Sequence, residues 1–318
     1  MSAPVFSVVI PTRDRAGVLS RTLDALEKQR GAPEFEIIVV DDGSADETTS
    51  MLTSRTCRRP MRVVSLPCVG PAQARNAGFE RCEGEWIAFL GSDTPPAPGW
   101  LEGHRSRHLR EGDSGVAVIG RTSWHPRLRT TCFLDYINEQ GLQFGFALID
   151  DPHDVPFNFF YSSNLTLHRK WLERQRFDPR FPDAAWEDVE LGYRLTGAGL
   201  RLVYEPSALV WHDHHMDISL FLRRQHRVGR SAIIFRHLHP SLAPFLGLPE
   251  KGAPRPPSTS CLALLERIAR TFEHRSVTTP WLWRYLSNAH YRRGCIAALQ
   301  EVGSNGTVLP SGLDPAGT

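Results

Sequence analysis

Glu36-Ile37-Ile38-Val39-Val40-Asp41-Asp42-Gly43-Ser44 passes without a break from apolar residues into an acidic turn. Four β-branched residues in succession cannot alternate between core and water. They predict a strand covered on both faces, as the strands of a parallel sheet are. On the N-terminal side, Phe6-Ser7-Val8-Val9-Ile10 is a similar run ended by Pro11, expected to be a strand because no basic leader precedes it as in a signal peptide. Between the two runs, Val18, Leu19, Thr22, Leu23 and Leu26 share one helical face, with Asp14 as candidate cap, Gln29 as last residue and Gly31 beyond the end. On the C-terminal side, Ser44 and Glu47 form a candidate capping box for the next helix. A third strand is expected at 63–66, a helix opened by Pro71 and running to Gly78, and a fourth strand at 86–90. This alternation of strand and helix predicts an α/β layered sheet with right-handed crossovers.

Beyond Trp100 the pattern loosens. Strands are expected at 115–120, 159–167 and 201–211, a helix at 186–198 stopped by Gly199, and a basic amphipathic helix at 218–238. A Pro/Gly/Ser-rich stretch at 240–260 reads as a loop or linker, 261–300 as further helix, and the residues from 303 as a disordered tail.

The 318 residues have a 41% hydrophobic and 23% charged composition, which excludes a disordered chain, a collagen-like fibre and a disulfide-dense miniprotein. No stretch approaches the roughly 18 apolar residues of a membrane span. The six cysteines (Cys57, Cys68, Cys82, Cys132, Cys261 and Cys295) contain no CxxC pair, so free thiols in a reducing, cytoplasmic setting are expected. A net charge of +2 conceals an uneven distribution: residues 218–300 carry 13 Lys and Arg against 3 Asp and Glu, leaving the remainder at −8. In the basic helix, Phe221, Leu222, Ile233, Ile234 and Phe235 alternate with Arg223, Arg224, Arg227, Arg230 and Arg236. That apolar face has two possible covers, an anionic membrane surface or the catalytic core itself. No RNA- or DNA-binding module is recognisable, so no nucleic acid is expected as partner.

Polar clusters punctuate the expected strand ends, where open parallel sheets bind ligands. Pro11-Thr12-Arg13-Asp14 follows the first strand and Asp41-Asp42-Gly43-Ser44 the second. Asp42 could accept from a nucleobase or ribose, or the acidic pair could serve only a turn and cap. In Gln73-Ala74-Arg75-Asn76-Ala77-Gly78, the planar fork of Arg75 suits a diphosphate. Gly91-Ser92-Asp93-Thr94 closes the fourth strand with one carboxylate, where a hard divalent cation such as Mg2+ or Mn2+ could sit. Trp186-Glu187-Asp188 opens a helix with its two carboxylates about 100° apart. Trp211-His212-Asp213-His214-His215 follows a strand and could complete a metal shell.

Seven segments, SVVIPTRDR, VVDDGSADE, ARNAGFE, WIAFLGSD, SNLTLHRKWL, WEDVELGYRL and YEPSALVWH, together resemble the inverting family 2 glycosyltransferases of the GT-A fold over residues 5–220. The resemblance implies a Rossmann-like, mainly parallel mixed sheet flanked by helices, with a helical C-terminal extension. It divides the chain into a catalytic domain at 1–220 (a nucleotide-sugar half, 1–105, and an acceptor half, 106–220), an extension at 221–302 and a tail at 303–318. It further implies transfer of a sugar from a nucleotide-diphospho-sugar to a hydroxyl acceptor (a glycan, a lipid-linked or a small molecule). Pro11, Thr12, Arg13, Asp42, Arg75, Asn76, Ser92 and Asp93 would contact the donor, and Asp93 with His212 a divalent cation, Mn2+ or Mg2+. Asp188 would be the general base with Glu187 beside it, while Trp124, Asn164 and Trp186 would border the acceptor. Trp124, Phe144 and Phe146 lie in the segment 121–158 expected to form the acceptor wall. One departure stands out: the first acidic position of the family's DxD metal motif is Gly91 here. It leaves open a catalytically degenerate relative that only binds a nucleotide. A nucleotidyltransferase fits less well, since a Gly-rich phosphate loop after the first strand is lacking.

Overall fold

The computed structural model describes residues 5–112, 114–257, 262–273 and 280–305. Cys261 and residues 306–318 lie outside them. The chain divides into two compact units, one of residues 1–129, 138–179 and 187–215, the other of 130–137, 180–186 and 216–318.

The first unit is a seven-stranded sheet built from β1 (Phe6–Thr12), β2 (Phe35–Asp41), β3 (Met61–Ser65), β4 (Trp86–Leu90), β5 (Val116–Trp124), β6 (Asn164–His168) and β7 (Arg201–His212). Their order is β3-β2-β1-β4-β6-β5-β7. All neighbours are parallel except β6, which runs against both β4 and β5. The sheet is therefore mixed and mainly parallel, as expected.

Because side chains alternate along a strand, the continuous apolar runs feed two cores at once. Val8, Ile10, Ile37, Val39, Ala88 and Leu90 pack on one face, with Leu19, Leu23 and Leu26 of α1 (Ala16–Glu27) and Trp100 and Leu101 of α4 (Trp100–Glu111). Val9, Ile38, Val40, Ile87 and Phe89 pack on the other, with Ala72 and Ala74 of α3 (Pro71–Phe79) and Leu191 and Leu195 of α7 (Glu187–Gly197). All seven residues of β2 are buried, and each large aliphatic side chain so removed from water contributes about 1.5–3 kcal/mol before entropy is charged against it.

Two expected helix caps fail for one reason. Neither Asp14 nor the Ser44/Glu47 pair caps a helix: the Asp46 carboxylate instead accepts from the first N–H of both α1 and α2 (Thr48–Ser54), those of Ala16 (3.2 Å) and Thr48 (2.9 Å). Asp14 instead accepts from the backbone N–H of Ala45 (2.7 Å), while Ser44 Oγ accepts from the N–H of Asp14 (2.9 Å). Asp14 and Ser44 each bond to the other's loop rather than to their own helices. The strand expected at 159–167 starts only at Asn164, after a 3-10 turn at Phe157–Phe159.

The second unit contains α8 (Ile218–Leu238), α9 (Leu262–Phe272) and α10 (Pro280–Asn305), with part of α5 (Cys132–Glu139). Asp217 Oδ1 caps α8 by accepting from the Leu220 N–H (2.7 Å). A Cβ on Gly229 would lie 2.0 Å from the Tyr291 carbonyl oxygen and one on Gly294 1.9 Å from that of His226, so α8 and α10 cross at two residues that must be glycine. The apolar residues Phe221, Leu222, Ile233 and Phe235 of α8 are buried. The helix α10 continues through Asn305, past the point where a disordered tail was expected. Among the described residues no helix is long and apolar enough to cross a membrane, and all five described cysteines are free.

Candidate active site

The chain steps outward from β1 to β2 to β3, then returns to place β4 on the other side of β1. Such a reversal opens a crevice at the carboxyl ends of the strands. The C-termini of β1, β2, β4, β5 and β7 and the N-terminus of the antiparallel β6 all lie along this edge.

The loops after β1 and β2 are tied together by the Asp42 N–H, which donates to the Thr12 carbonyl (2.9 Å). Asp42 accepts from the N–H groups of Val69 (2.6 Å) and Gly70 (2.8 Å), fixing the approach to α3. Each of its oxygens keeps one lone pair for a ligand. Asp41 turns away, accepting from Ser44 N–H and Thr49 Oγ1. Thr12 is buried, and its Oγ1 has no hydrogen-bond partner among the described residues. Pro11 is half-buried in β1. Arg13 is exposed, with Nη1 on Cys68 Sγ. The Ser92 carbonyl accepts from Thr22 Oγ1 (2.8 Å), anchoring the loop after β4 to α1.

Asp93 sits among basic groups. Its Oδ2 lies 3.3 Å from Arg15 Nη1 and 3.9 Å from His212 Nε2. Burial would raise its pKa, but electrostatic interaction with His212, Arg15 and His214 outweighs burial and holds the carboxyl below the ordinary carboxylate range. Arg15 Nη1 also lies 2.8 Å from His214 Nδ1. A guanidinium only donates, so Nδ1 must accept and the ring carries its proton on Nε2. A cleft of about 600 Å³ opens here, lined by Arg13, Asp14, Arg15, Ala16, Gly17, Val18, Asp46 and His214. Asp213, next to His212, is committed to ion pairs with Arg21 (2.7 Å) and Arg127.

These residues do not fit a divalent cation. Asp93 offers a single carboxylate whose Oδ2 already faces a guanidinium, and the His214 Nδ1 lone pair is taken. Among the described residues no three His, Cys, Asp or Glu side chains gather into a group that could hold a metal ion.

Glu187 and Asp188 open α7 and have different surroundings. Glu187 is buried against Arg75, Oε1 to Nη1 2.9 Å, and Arg75 is itself buried. Burial and the neighbouring Asp188 charge outweigh Arg75 and push the Glu187 carboxyl up to about 7. The Asp188 Oδ2 accepts from both the N–H (3.1 Å) and the hydroxyl (3.3 Å) of Ser162, and Oδ1 from the Val189 N–H (2.9 Å). The next residue, Ser163, accepts the Gly91 N–H through its carbonyl (3.1 Å). Asp188 is thus fastened to the segment that is bonded to the Asp93 loop.

Of the expected acceptor residues, Trp124 ends β5 with its ring 5.0 Å from Phe144 and 5.2 Å from His212; its buried Nε1 has no partner among the described residues. Phe146 stacks on Tyr204 (5.4 Å) and, at 6.5 Å, on Phe144. Asn164 departs from expectation. It is fully buried, its Oδ1 accepts from Trp100 Nε1 (2.7 Å) and His104 Nε2 (2.9 Å), and its Nδ2 donates to the carbonyls of Arg121 and Ala208. All four of its hydrogen-bonding positions are spent inside the fold. Asn76, expected at the donor, clamps the backbone of Phe177 through both its amide atoms. Trp186 lies in the helical unit, where its Nε1 donates to the Val228 carbonyl (3.1 Å) and its ring faces Phe235.

Sequence reasoning missed Arg15, Ser162 and His214. The first and last lie in motifs already singled out, two residues from Arg13 and from His212. Ser162 acts partly through its backbone, which leaves no compositional trace.

Known proteins resemble the chain. It is 32% identical over 251 residues to the pre-mycofactocin glycosyltransferase of Mycobacterium tuberculosis, covering 74% of this chain and 48% of that protein. It is 29% identical over 273 residues to the validoxylamine A glucosyltransferase of Streptomyces hygroscopicus subsp. limoneus, covering 76% of this chain and 58% of that one. The chain therefore spans about half the length of these curated relatives. Its fold superposes on a mannosyltransferase from Pyrobaculum calidifontis solved with GDP-Man and Mn2+, with a TM-score of 0.55, 17% identity, and 93% of this chain and 87% of that one covered. The family model described as "Glycosyl transferase family 2" matches residues 7–172, more than half of the chain, and the chain belongs to that family.

Proposed function

We propose that the chain transfers a sugar from a nucleotide-diphospho-sugar to an acceptor hydroxyl with inversion at the anomeric carbon. The observation that carries this reading is the fastening of the Asp188 carboxylate, through Ser162 and Ser163, to the loop that presents Asp93. A carboxylate held by hydrogen bonds to both oxygens, at the edge where a donor would lie, is suited to general-base work. Thr12 and Asp42 offer contacts to the nucleoside, and the basic loop Arg13–Arg15 meets the diphosphate. Asp188 takes the acceptor proton as the hydroxyl oxygen attacks. The bond to the diphosphate breaks on the opposite face, and its growing negative charge is met by fixed positive groups. The Arg75–Glu187 pair braces the start of α7 beneath the base. The acceptor would be a glycan, a lipid-linked or a small alcohol.

The test is Asp188→Asn against a panel of UDP-, GDP- and dTDP-sugars, following nucleotide release and product. Transfer should fall by about 10² to 10⁴-fold while donor binding stays within about twofold. Near-normal turnover in the variant would sink the assignment. A donor bound by the wild type but never turned over, with any acceptor, would instead favour the degenerate reading that Gly91 suggests.

A further inference from the structure

We propose that Arg15 is the diphosphate-binding cation of this site, held by Asp93 where a divalent ion would otherwise be held, so that the donor binds without a divalent metal. The inference rests on the donor reading above.

The first observation concerns position 91. Gly91 supplies no carboxylate, and a Cβ there would lie 2.9 Å from Thr94 Oγ1 and 3.2 Å from both Asp93 Oδ1 and Thr94 Cγ2. Thr94 cannot move aside cheaply: it is fully buried, and its hydroxyl donates to the Gly91 carbonyl (2.8 Å). The space a second acidic side chain would need is filled by the fold.

The second concerns what Asp93 does with its charge. An ion seated about 2.1 Å from Oδ2 would crowd a guanidinium nitrogen already 3.3 Å from that oxygen. A carboxylate with a permanently charged partner has no need of a metal to balance it.

The third concerns what Arg15 has left to offer. Its contacts with Asp93 and His214 use Nη1 alone; Nη2 and Nε make no hydrogen bond among the described residues. The side chain is 33% exposed and lines the cleft. Asp93 and His214 thus orient a planar fork whose free N–H groups match two phosphate oxygens. The His214 tautomer that Arg15 enforces leaves Nε2 as an N–H donor. Asp93 acts on the donor through Arg15 and is a positioning residue in this arrangement.

The experiment is calorimetric titration of the full chain with UDP, GDP and dTDP, each in excess EDTA and in excess MnCl2. For whichever nucleotide binds, the affinity in EDTA should lie within about threefold of that in MnCl2. Arg15→Ala should weaken binding in EDTA by about ten- to hundredfold, the loss expected for hydrogen bonds to a charged group. Arg15→Lys, which keeps the charge but not the fork, should recover part of it and serves as the reading if the alanine variant fails to fold. A wild-type affinity that drops more than about tenfold when Mn2+ is removed would overturn the proposal, as would unchanged binding by both variants. Failure of every nucleotide to bind the wild type in either condition would overturn the donor reading and this inference with it.

Discussion

Replacing Glu187 with glutamine should make the protein more stable at neutral pH, although it removes one half of a buried ion pair. Glu187 and Arg75 are 2% and 8% exposed, and their 2.9 Å contact looks like a stabilising salt bridge. Burial of the carboxyl and the adjacent Asp188 charge nevertheless outweigh Arg75 and raise its pKa from 4.5 to about 7. The native state therefore binds a proton over this window that the unfolded chain has released. The contribution of Glu187 to stability is fully present below pH 4.5 and is lost as pH rises to about 7. A span of that width corresponds to roughly 3 kcal/mol. A glutamine amide in place of this carboxyl would mimic the protonated acid at every pH. Glu187→Gln should thus be close to neutral near pH 4.5 and increasingly stabilising as pH rises through 7, by up to a few kcal/mol. Arg75→Met goes the other way, because it removes the one cation opposing the shift, and its cost grows above pH 7. Urea unfolding followed by tryptophan fluorescence, run on wild type and both variants from pH 4.5 to 8.5, measures these differences. If Glu187→Gln destabilises at pH 8, the Arg75 attraction exceeds the cost of burying the charge and the reasoning is wrong.

Two further outcomes concern the polar core beneath the site. Asn164→Leu strands Trp100 Nε1, His104 Nε2 and two carbonyls; it should cost about 3–5 kcal/mol, visible as a large fall in thermal midpoint. His104 is kept neutral by burial, which lowers its pKa from 6.5 to about 4 despite its bond to Asn164. Its stabilising contribution should be fully present above pH 6.5 and lost as pH falls towards 4, by roughly 3 kcal/mol in all; the acid limb of a urea-midpoint profile should flatten in His104→Gln.

The elements read correctly from the chain are those whose neighbours in sequence carry the signal. The runs in β1, β2 and β4 are apolar because both faces of the sheet are covered, and Pro71 and Gly199 mark a helix start and a helix end by backbone geometry alone. The helix α4 escaped this reading because its buried face includes His104, Arg107 and His108. Those side chains look like a solvated surface until Asn164, Thr166 and the Pro152 carbonyl are brought against them. The same limit applied to the caps: Asp14 and Ser44 had the right chemistry for helix N-termini, but each found a better partner in the other's loop.

The family, the alternating architecture and most of the polar groups along the crevice were already present in the sequence, since hydrophobic periodicity and motif spacing survive in one dimension. The tertiary structure decided which of those polar groups face the crevice and which are spent within the fold. It set Asn164 and Asn76 to holding the framework, bound Asp188 to Ser162, and placed Arg15 beside Asp93. A polar side chain takes its role from whatever the fold sets opposite it, and for Arg15 those partners are 78 and 199 residues away along the chain.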